Sequence, residues 1–337
     1  MPSCLGIYVE RNIVKYAKVS KERENVKIEA TGVEFCENVE ETVKKIINET
    51  FSFKTPISIN LSGEKYTYSD VFSLLSKKDL EKTVDTEFEI YCNENGQNKN
   101  AVEYRKLIID NLENKEKKTV LYSYIDKAGL VAKTHQFEKS NLSAAVPLPI
   151  AIANLEDFAQ KKNSLIVNIE RNTTVTTIIN GEIHKIDVIE KGMQDILENI
   201  VLKENSYEKA YEICKNSTIY TLEGKDLQTE ENEHMEEIMP TLYSIMQNVK
   251  DTMALDGIEI ENVYITGMGA VINNIDLYFQ ENFANQKCTI MIPYFVDASN
   301  IKINIKEYIE VNSAIALALQ GIGQGKKEMN FIKSRTS

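Results

Sequence analysis

Hydrophobic and polar residues follow two different periods along this chain of 337 residues. Runs rich in β-branched residues, some alternating apolar with polar positions, predict strands at 4–9, 13–19, 26–35 and 56–61. A period near 3.6 residues over 39–51 predicts a helix between the last two of these strands. The same order of strands and helices begins again at Ser164. We therefore predict an α/β protein built from two units related by internal duplication.

Each unit opens with a predicted hairpin whose turn has the sequence acid-Arg-Asn, at 10–12 and again at 170–172. A later strand, 263–266, enters a glycine-containing turn before a predicted helix at 275–283. Between the two hairpins, the stretch 65–140 predicts a compact insert. The insert comprises a short strand, a helix at 77–85 and strands near 104–109 and 119–124. Further helices are predicted at 148–160, 192–202, 208–215, 239–255 and 311–321.

Composition narrows the class of protein. A formal net charge of −12 disfavours nucleic acid and anionic membrane as general partners. The five cysteines and three histidines lack the spacing of disulfide pairs or metal ligands, so we expect reduced thiols and no metal. The first residues lack the pattern of a signal peptide, and no apolar run approaches the length of a membrane span. These features favour a cytoplasmic protein.

Two hairpins followed by a strand, a glycine turn and a helix resemble the actin-like ATPase superfamily. The order and spacing are most similar to the PilM family of type IV pilus assembly, with FtsA as a near relative. The segments 208–215 and 316–321 and the position of the insert carry this likeness. The resemblance implies a duplicated fold of the ribonuclease H type, with two domains flanking a cleft.

The resemblance also implies domain boundaries. They are a first domain of 1–63, 145–163 and 310–322; an inserted α/β subdomain of 64–144; a second domain of 164–309, with 195–260 as its helical part; and a flexible tail of 323–337.

The family's phosphate-binding turns are altered here. Its first turn reads Gly-hydrophobic-Asp-hydrophobic-Gly-Ser-Ser, and this chain has Tyr8 for the aspartate, Glu10 for the second glycine and Arg11 and Asn12 for the serines. Tyrosine cannot replace a carboxylate that organises Mg²⁺. A glutamate in place of glycine adds both a side chain and a negative charge where phosphates would approach.

The second turn resembles Asp-hydrophobic-Gly-x-x-Thr-Thr. Asn168 replaces the aspartate and Glu170 the glycine, Arg171 follows, and Thr173 is kept. Two like charges about 4 Å apart repel by roughly 4 kcal/mol at an effective dielectric constant of about 20. Even at half that value, the two glutamates would weaken triphosphate binding about a thousandfold. Alternatively, the hairpins cross-pair through Glu10–Arg11 and Glu170–Arg171 and close the cleft without a ligand, or they are simply solvated turns.

The residues expected around the nucleoside are better preserved. Glu212 and Lys215 match the family's ribose- and base-contacting pair, and Gly267 and Gly269 match two glycines under the adenosine. The alternatives are an ordinary surface ion pair three residues apart and a simple strand-to-helix turn. We expect no cofactor, although ATP or ADP with Mg²⁺ stays open.

The resemblance implies a scaffold, a pseudo-ATPase and not an enzyme. It would bind the cytoplasmic N-terminal tail of a PilN-type inner-membrane protein and so lie at the inner face of the membrane. Tyr66, Tyr68 and Phe72 are the predicted aromatic anchors of the partner groove, or else core residues of the insert. Two other functions remain: an FtsA-like division filament, and an ATP-dependent kinase-like enzyme, which would need the missing carboxylates. Self-association also stays open.

The last predicted feature is the segment 329–333, Met-Asn-Phe-Ile-Lys. It resembles the hydrophobic-Asn-Leu-Leu start of PilN-type partners, and it follows the glycine-rich stretch 321–328. Two interpretations compete: the segment docks into the chain's own groove or that of a neighbour, or the likeness is a chance match in a disordered tail.

Overall fold

A computed structural model describes residues 2–156, 162–221, 233–256, 259–284 and 286–332. Three sheets organise the described residues, and each is the core of one part of the chain. Two of the sheets share one topology, and the third belongs to the insert.

The first sheet belongs to the first domain. Strands β1 (Ser3–Glu10), β2 (Ile13–Glu22) and β3 (Asn25–Phe35) form an antiparallel meander, and β4 (Ile57–Asn60) and β8 (Leu142–Val146) add in parallel beyond β1. Helix α1 (Val39–Glu49) begins at Asn38, whose side chain accepts a hydrogen bond from the Glu41 amide. β1 is buried over nearly its whole length because helices cover the sheet.

The second sheet repeats this topology. Strands β9 (Ser164–Ile169), β10 (Thr173–Ile179) and β11 (Glu182–Ile189) are antiparallel, and β12 (Asn262–Thr266) and β13 (Cys288–Ile290) add in parallel beyond β9. Its helices are α5 (Met193–Glu204), α6 (Tyr207–Asn216), Met235–Asp256 and Ile275–Asn282. A 3-2-1-4-5 strand order found twice confirms the predicted duplicated fold of the ribonuclease H type.

The insert is a three-stranded antiparallel sheet with the order β5–β7–β6. Its elements are β5 (Lys65–Phe72), α2 (Lys77–Glu94), β6 (Val102–Asp110), β7 (Lys117–Asp126) and α3 (Lys127–His135). Phe88 of α2 is buried at its centre, with its ring centroid 4.2 Å from that of Tyr104 and 5.2 Å from that of Tyr122. Stacked rings of this kind form a core that is independent of the two larger sheets.

A buried helix near the C terminus connects the two domains. Helices Ile305–Glu310 and Asn312–Leu319 follow one another, and every residue of the second is buried. It lies directly against β1, because a Cβ on Gly6 would come within 2.0 Å of the Ala314 carbonyl oxygen. Only glycine at this position lets the helix approach so closely. The close approach places Ser313 at the cleft.

Several boundaries differ from the predicted ones. β8 crosses the predicted 144/145 boundary, because its residues pair with β4 of the first domain. The two-residue strand β14 (Val296–Asp297), predicted in the second domain, pairs with β3 of the first. α2 runs nine residues beyond the predicted end at 85, and α3 was not predicted. Helix α4 (Leu148–Ala153) ends before the predicted 160, and residues 157–161 lie outside the described part of the chain.

The predicted flexible tail at 323–337 also differs. Residues up to Ile332 are packed on the body of the protein, and the side chains of Met329 and Phe331 are buried. Residues 333–337 lie outside the described part of the chain.

Candidate functional site

The first altered turn lies at the mouth of the interdomain cleft. Tyr8 is buried near the end of β1 and pairs in register with Lys15 of β2. The Lys15 ammonium lies 4.6 Å from the centre of the Tyr8 ring, which is within cation–π range. Arg11 has a positive φ of 50°, and the Asn12 carbonyl accepts a hydrogen bond from the Cys36 amide. Burial, together with the nearby carboxylates, raises the pKa of the Tyr8 phenol.

The second altered turn joins β9 to β10 and lies directly opposite the first turn. Asn168, Glu170 and Thr173 are all buried, whereas Arg171 is exposed. The Glu170 carbonyl accepts a hydrogen bond of 2.6 Å from the Met193 amide at the start of α5. Among the described residues, neither polar atom of the Asn168 side chain has a hydrogen-bond partner. Asn168 is thus held in place by its strand and not by a polar network of its own.

A buried ion pair connects the two domains across the cleft. The Lys15 ammonium of the first domain donates to Oε1 of Glu170 in the second domain, and both side chains are almost completely buried. The Ser313 hydroxyl donates to the same oxygen at 2.6 Å. Burial lowers the pKa of Lys15, and the adjacent Glu170 carboxylate opposes that effect. Lys15, which lies in β2 outside both altered turns, therefore neutralises Glu170.

Two further ion pairs cross the cleft nearer to solvent. Arg171 lies 2.7 Å from Oε1 of Glu10, and the Ser62 hydroxyl donates to Oε2 of Glu10 at 3.0 Å. Arg11 lies 2.7 Å from Oε1 of Glu198 on α5. Both arginines are about half exposed, so each of these pairs stabilises closure less than the buried one. The cross-pairing considered from the sequence occurs between Glu10 and Arg171, whereas Arg11 pairs with Glu198.

The insert supplies one more cation beneath the first turn. Lys133 of α3 is buried and donates to the Val9 carbonyl at 2.5 Å and to the Ser62 hydroxyl at 2.9 Å. Burial lowers its pKa to about 8, with Glu10 and Glu64 opposing the shift. Lys133 therefore joins the insert to the end of β1.

The space remaining between the two turns is small. A cavity of about 240 Å³ is lined by Tyr8, Glu10, Asn168, Glu170 and Arg171, among other residues. Pockets that bind drug-sized ligands typically have about 300–1,000 Å³. The closed cleft lies below that range.

The predicted nucleoside pair takes part in a larger ion cluster. Lys215 of α6 lies 3.2 Å from both Glu212 and Glu310. The Tyr211 hydroxyl donates to the buried Glu310 at 2.9 Å, and the Lys215 ammonium lies 5.3 Å from the centre of the Tyr211 ring. The three-residue spacing thus makes the ion pair that was the alternative interpretation. The cluster also connects α6 to the helix Ile305–Glu310.

Comparison with solved structures identifies the fold, whereas comparison of sequences does not. No protein-family model matches the sequence, and no curated protein sequence matches it significantly. A solved PilM–PilN type IV pilus biogenesis complex aligns over 95% of this chain and 98% of that chain, with a TM-score of 0.75 and 16% identity. The chain has an actin-like fold of the PilM type. The ethanolamine utilization protein EutJ from Carboxydothermus hydrogenoformans aligns with a TM-score of 0.54 and 11% identity, over 95% of this chain and 90% of that one.

Within this PilM-type fold, close packing against β9 requires the two glycines predicted under an adenosine. Gly267 has a φ of +85°, and a Cβ there would lie 2.6 Å from the Ile169 carbonyl oxygen. A Cβ on Gly269 would lie 2.6 Å from the Ile169 side chain. Both residues therefore have a structural reason to be glycine with or without a nucleotide.

The three aromatic residues predicted to anchor a partner lie on one face of β5, because they are separated by even numbers of residues, but they differ in their contacts and exposure. Tyr66 is half-buried and donates to Glu64 at 3.1 Å. The Tyr68 hydroxyl accepts from the Ile186 amide at 2.7 Å and donates to the Ile186 carbonyl, so it connects the insert to β11. Phe72 is 65% exposed at the end of β5. Of the three, Phe72 is the most exposed, whereas Tyr68 is 37% exposed and hydrogen-bonded to β11.

The described residues contain no cluster of three or more His, Cys, Asp or Glu side chains that could hold a metal ion. Within the same ranges, no helix is long and apolar enough to cross a membrane. Sequence reasoning missed Lys15, Lys133 and Ser313 as cleft residues. Of these three residues, only Lys15 had a signal in the sequence, because its position in the predicted hairpin places it opposite Tyr8.

Proposed function

We propose that this chain is a scaffold of type IV pilus assembly and not an enzyme. It binds the short cytoplasmic N-terminal tail of a PilN-type inner-membrane protein and is thereby held at the inner face of the membrane. The likeness to the PilM–PilN complex over nearly the full length of both chains supports this assignment.

The observation that carries the non-enzymatic part is the closure of the cleft by the chain's own side chains. Glu170 is bonded to Lys15 and Ser313, and Glu10 to Arg171, at the positions where the family resemblance places phosphates. A bound triphosphate would have to displace Arg171 and approach two carboxylates. The repulsion falls mainly on Glu10, which would lose Arg171, because Lys15 still neutralises Glu170. Like charges at about 4 Å cost roughly 4 kcal/mol near a protein surface.

The metal that such a nucleotide requires also lacks its ligands. Mg²⁺ prefers carboxylate oxygens and water. The two positions where the resemblance expects aspartate hold Tyr8, whose pKa is raised by burial, and the neutral Asn168. The residues present do not fit a Mg²⁺–ATP complex, and we derive no catalytic step through one.

Two assays test the proposal. Adding ATP and Mg²⁺ at millimolar concentration should leave the melting temperature unchanged and release no phosphate above the rate of a heat-denatured control. A melting shift that saturates at micromolar ATP would contradict the closed cleft.

The partner is tested separately. A synthetic peptide copying the cytoplasmic N terminus of a PilN-type protein encoded beside this chain should bind, whereas the scrambled peptide should not. Absence of binding to any such tail would remove the pilus assignment. Neighbouring cell-division genes would favour the FtsA-like alternative instead.

A further inference from the structure

The C-terminal residues Lys326–Ile332, which we call the tail segment, lie in a groove between the first domain and the insert. One wall of the groove is β8, the edge strand of the first sheet, and the other is β6, the edge strand of the insert sheet. Met329 is completely buried and Phe331 is 3% exposed. Phe331 belongs to a buried cluster that contains both Ile125 of the insert strand β7 and Ala145 of β8 in the first domain. The tail segment therefore fills the groove and does not merely touch it.

The contacts with β8 depend on one asparagine. Oδ1 of Asn330 accepts from the Ala145 amide at 3.0 Å, and its Nδ2 donates to the Ser143 carbonyl at 3.1 Å. The Phe331 amide donates to the Ala145 carbonyl at 2.9 Å. An edge strand presents unpaired donors and acceptors, which an added peptide can satisfy. Asparagine suits this position because its side chain supplies both a donor and an acceptor.

The insert holds the same segment from the other side through Arg105 of β6. Its Nε donates to the Asn330 carbonyl at 2.6 Å, and its Nη2 donates to the Phe331 carbonyl at 3.3 Å. The guanidinium also lies 4.9 Å from the centre of the Phe331 ring. Glu103 lies 2.9 Å from Arg105 and orients it. The groove thus recognises main-chain carbonyls, an asparagine side chain and an apolar residue on either side of it.

We propose that the tail segment is a built-in competitor, which occupies this groove in place of an extended peptide with the pattern apolar–Asn–apolar. A free peptide with that pattern can enter only when the tail segment detaches. The inference rests on the proposed function for the identity of the natural competitor, the N-terminal tail of the partner. It does not rest on that function for the groove and its present occupant.

The connection to the body allows such a release. The Gln320 side chain donates to the Lys326 carbonyl at 3.0 Å, so the chain is held up to that residue. Beyond Lys326, the hydrogen bonds of the tail segment to the rest of the protein are those to β8 and to Arg105 in the described part of the chain. The segment is paired as a single short stretch and is not part of a continuous sheet, and such stretches open more easily than core strands.

Tethering sets the size of the expected competition. A ligand held by a short linker acts at an effective concentration of the order of 1 mM. If a free peptide binds the empty groove with a dissociation constant of about 10 μM, the tethered segment weakens that binding about a hundredfold. The wild-type chain should therefore bind the free peptide far more weakly than a chain whose tail segment is disabled.

The experiment uses the full-length chain and a fluorescent peptide copying residues 324–333. In the test variant, Asn330→Ala and Phe331→Ala together remove the side chains that hold the tail segment. Fluorescence anisotropy should show affinity about a hundredfold higher for this variant than for the wild-type chain. Lys327→Ala, at an exposed position of the same segment, is the matched control and should behave as wild type. The same peptide with leucine in place of its asparagine should not bind.

Equal affinity of wild type and test variant would overturn the proposal, as would a folded variant that does not bind. Adding Arg105→Ala to the variant should abolish binding, and unchanged binding would show that the peptide binds elsewhere. If the double variant does not fold, Asn330→Ala alone should still raise affinity at least tenfold. Because the peptide copies this chain, its result is independent of any partner tail. A partner peptide that fails while this one binds contradicts the proposed function alone.

Discussion

The buried pair of Lys15 and Glu170 gives the sharpest prediction. Both side chains are almost completely buried, and they join the two domains across the cleft. Glu170→Gln keeps the shape of the side chain but leaves the Lys15 ammonium without its counterion. Breaking a buried ion pair on one side costs about 3–5 kcal/mol, because an uncompensated charge stays in the interior. We expect a loss of unfolding free energy of about that size.

A matched control exists in the same cleft. Glu10→Gln removes the same kind of charge from the pair with Arg171, whose side chain is 41% exposed. Solvent screens such a pair, so the expected loss is below about 1 kcal/mol. The chain contains no tryptophan, so urea denaturation should be monitored by far-ultraviolet circular dichroism and not by tryptophan fluorescence.

A double-mutant cycle completes the test. Lys15→Met combined with Glu170→Gln leaves neither charge buried, so the double variant should recover at least about 2 kcal/mol relative to the sum of the single variants. If Glu170→Gln costs no more than Glu10→Gln, or if the two changes simply add, the pair does not hold the cleft closed.

Three further predictions follow from the packing. Burial lowers the pKa of Lys133 from 10.5 to about 8, so the folded state binds fewer protons than the unfolded state between these pH values. The unfolding free energy of the wild type relative to Lys133→Met should therefore rise by about 3 kcal/mol as the pH increases from 8 to 10.5. If urea titrations show the same difference at both pH values, this prediction is wrong. Tyr68→Phe loses the hydroxyl contacts to Ile186 and should lower the unfolding free energy by about 1–2 kcal/mol. Phe72→Ala, at an exposed position, should stay within about 0.5 kcal/mol of wild type in the same titrations. The reverse order would mean that the hydroxyl contacts contribute nothing. Gly267→Ala should lower the unfolding free energy by more than about 2 kcal/mol, because the added Cβ would clash with Ile169. Gly63→Ala, also at positive φ but in open space, should cost only about 1 kcal/mol. Equal melting temperatures of the two variants would refute the steric argument.

Local patterns were sufficient to predict the repeated architecture. Strand and helix periods depend on neighbours a few residues apart, so both hairpins, the strand 262–266 and the buried C-terminal helix could be predicted from the sequence. The short edge strand β8 and helix α3 were missed because neither has a strong period: β8 has only five residues, and α3 buries only Lys133.

The chemistry of the cleft depended on distance in space. The sequence by itself determined that two matching turns carry glutamate at positions 10 and 170, because that comparison needs only the local pattern of each hairpin. Only the tertiary structure decided which cations neutralise them, since Lys15 and Glu170 are 155 residues apart. It likewise decided between the two interpretations of the tail, because the pairing of Asn330 with β8 joins residues 185 positions apart, which no local pattern encodes.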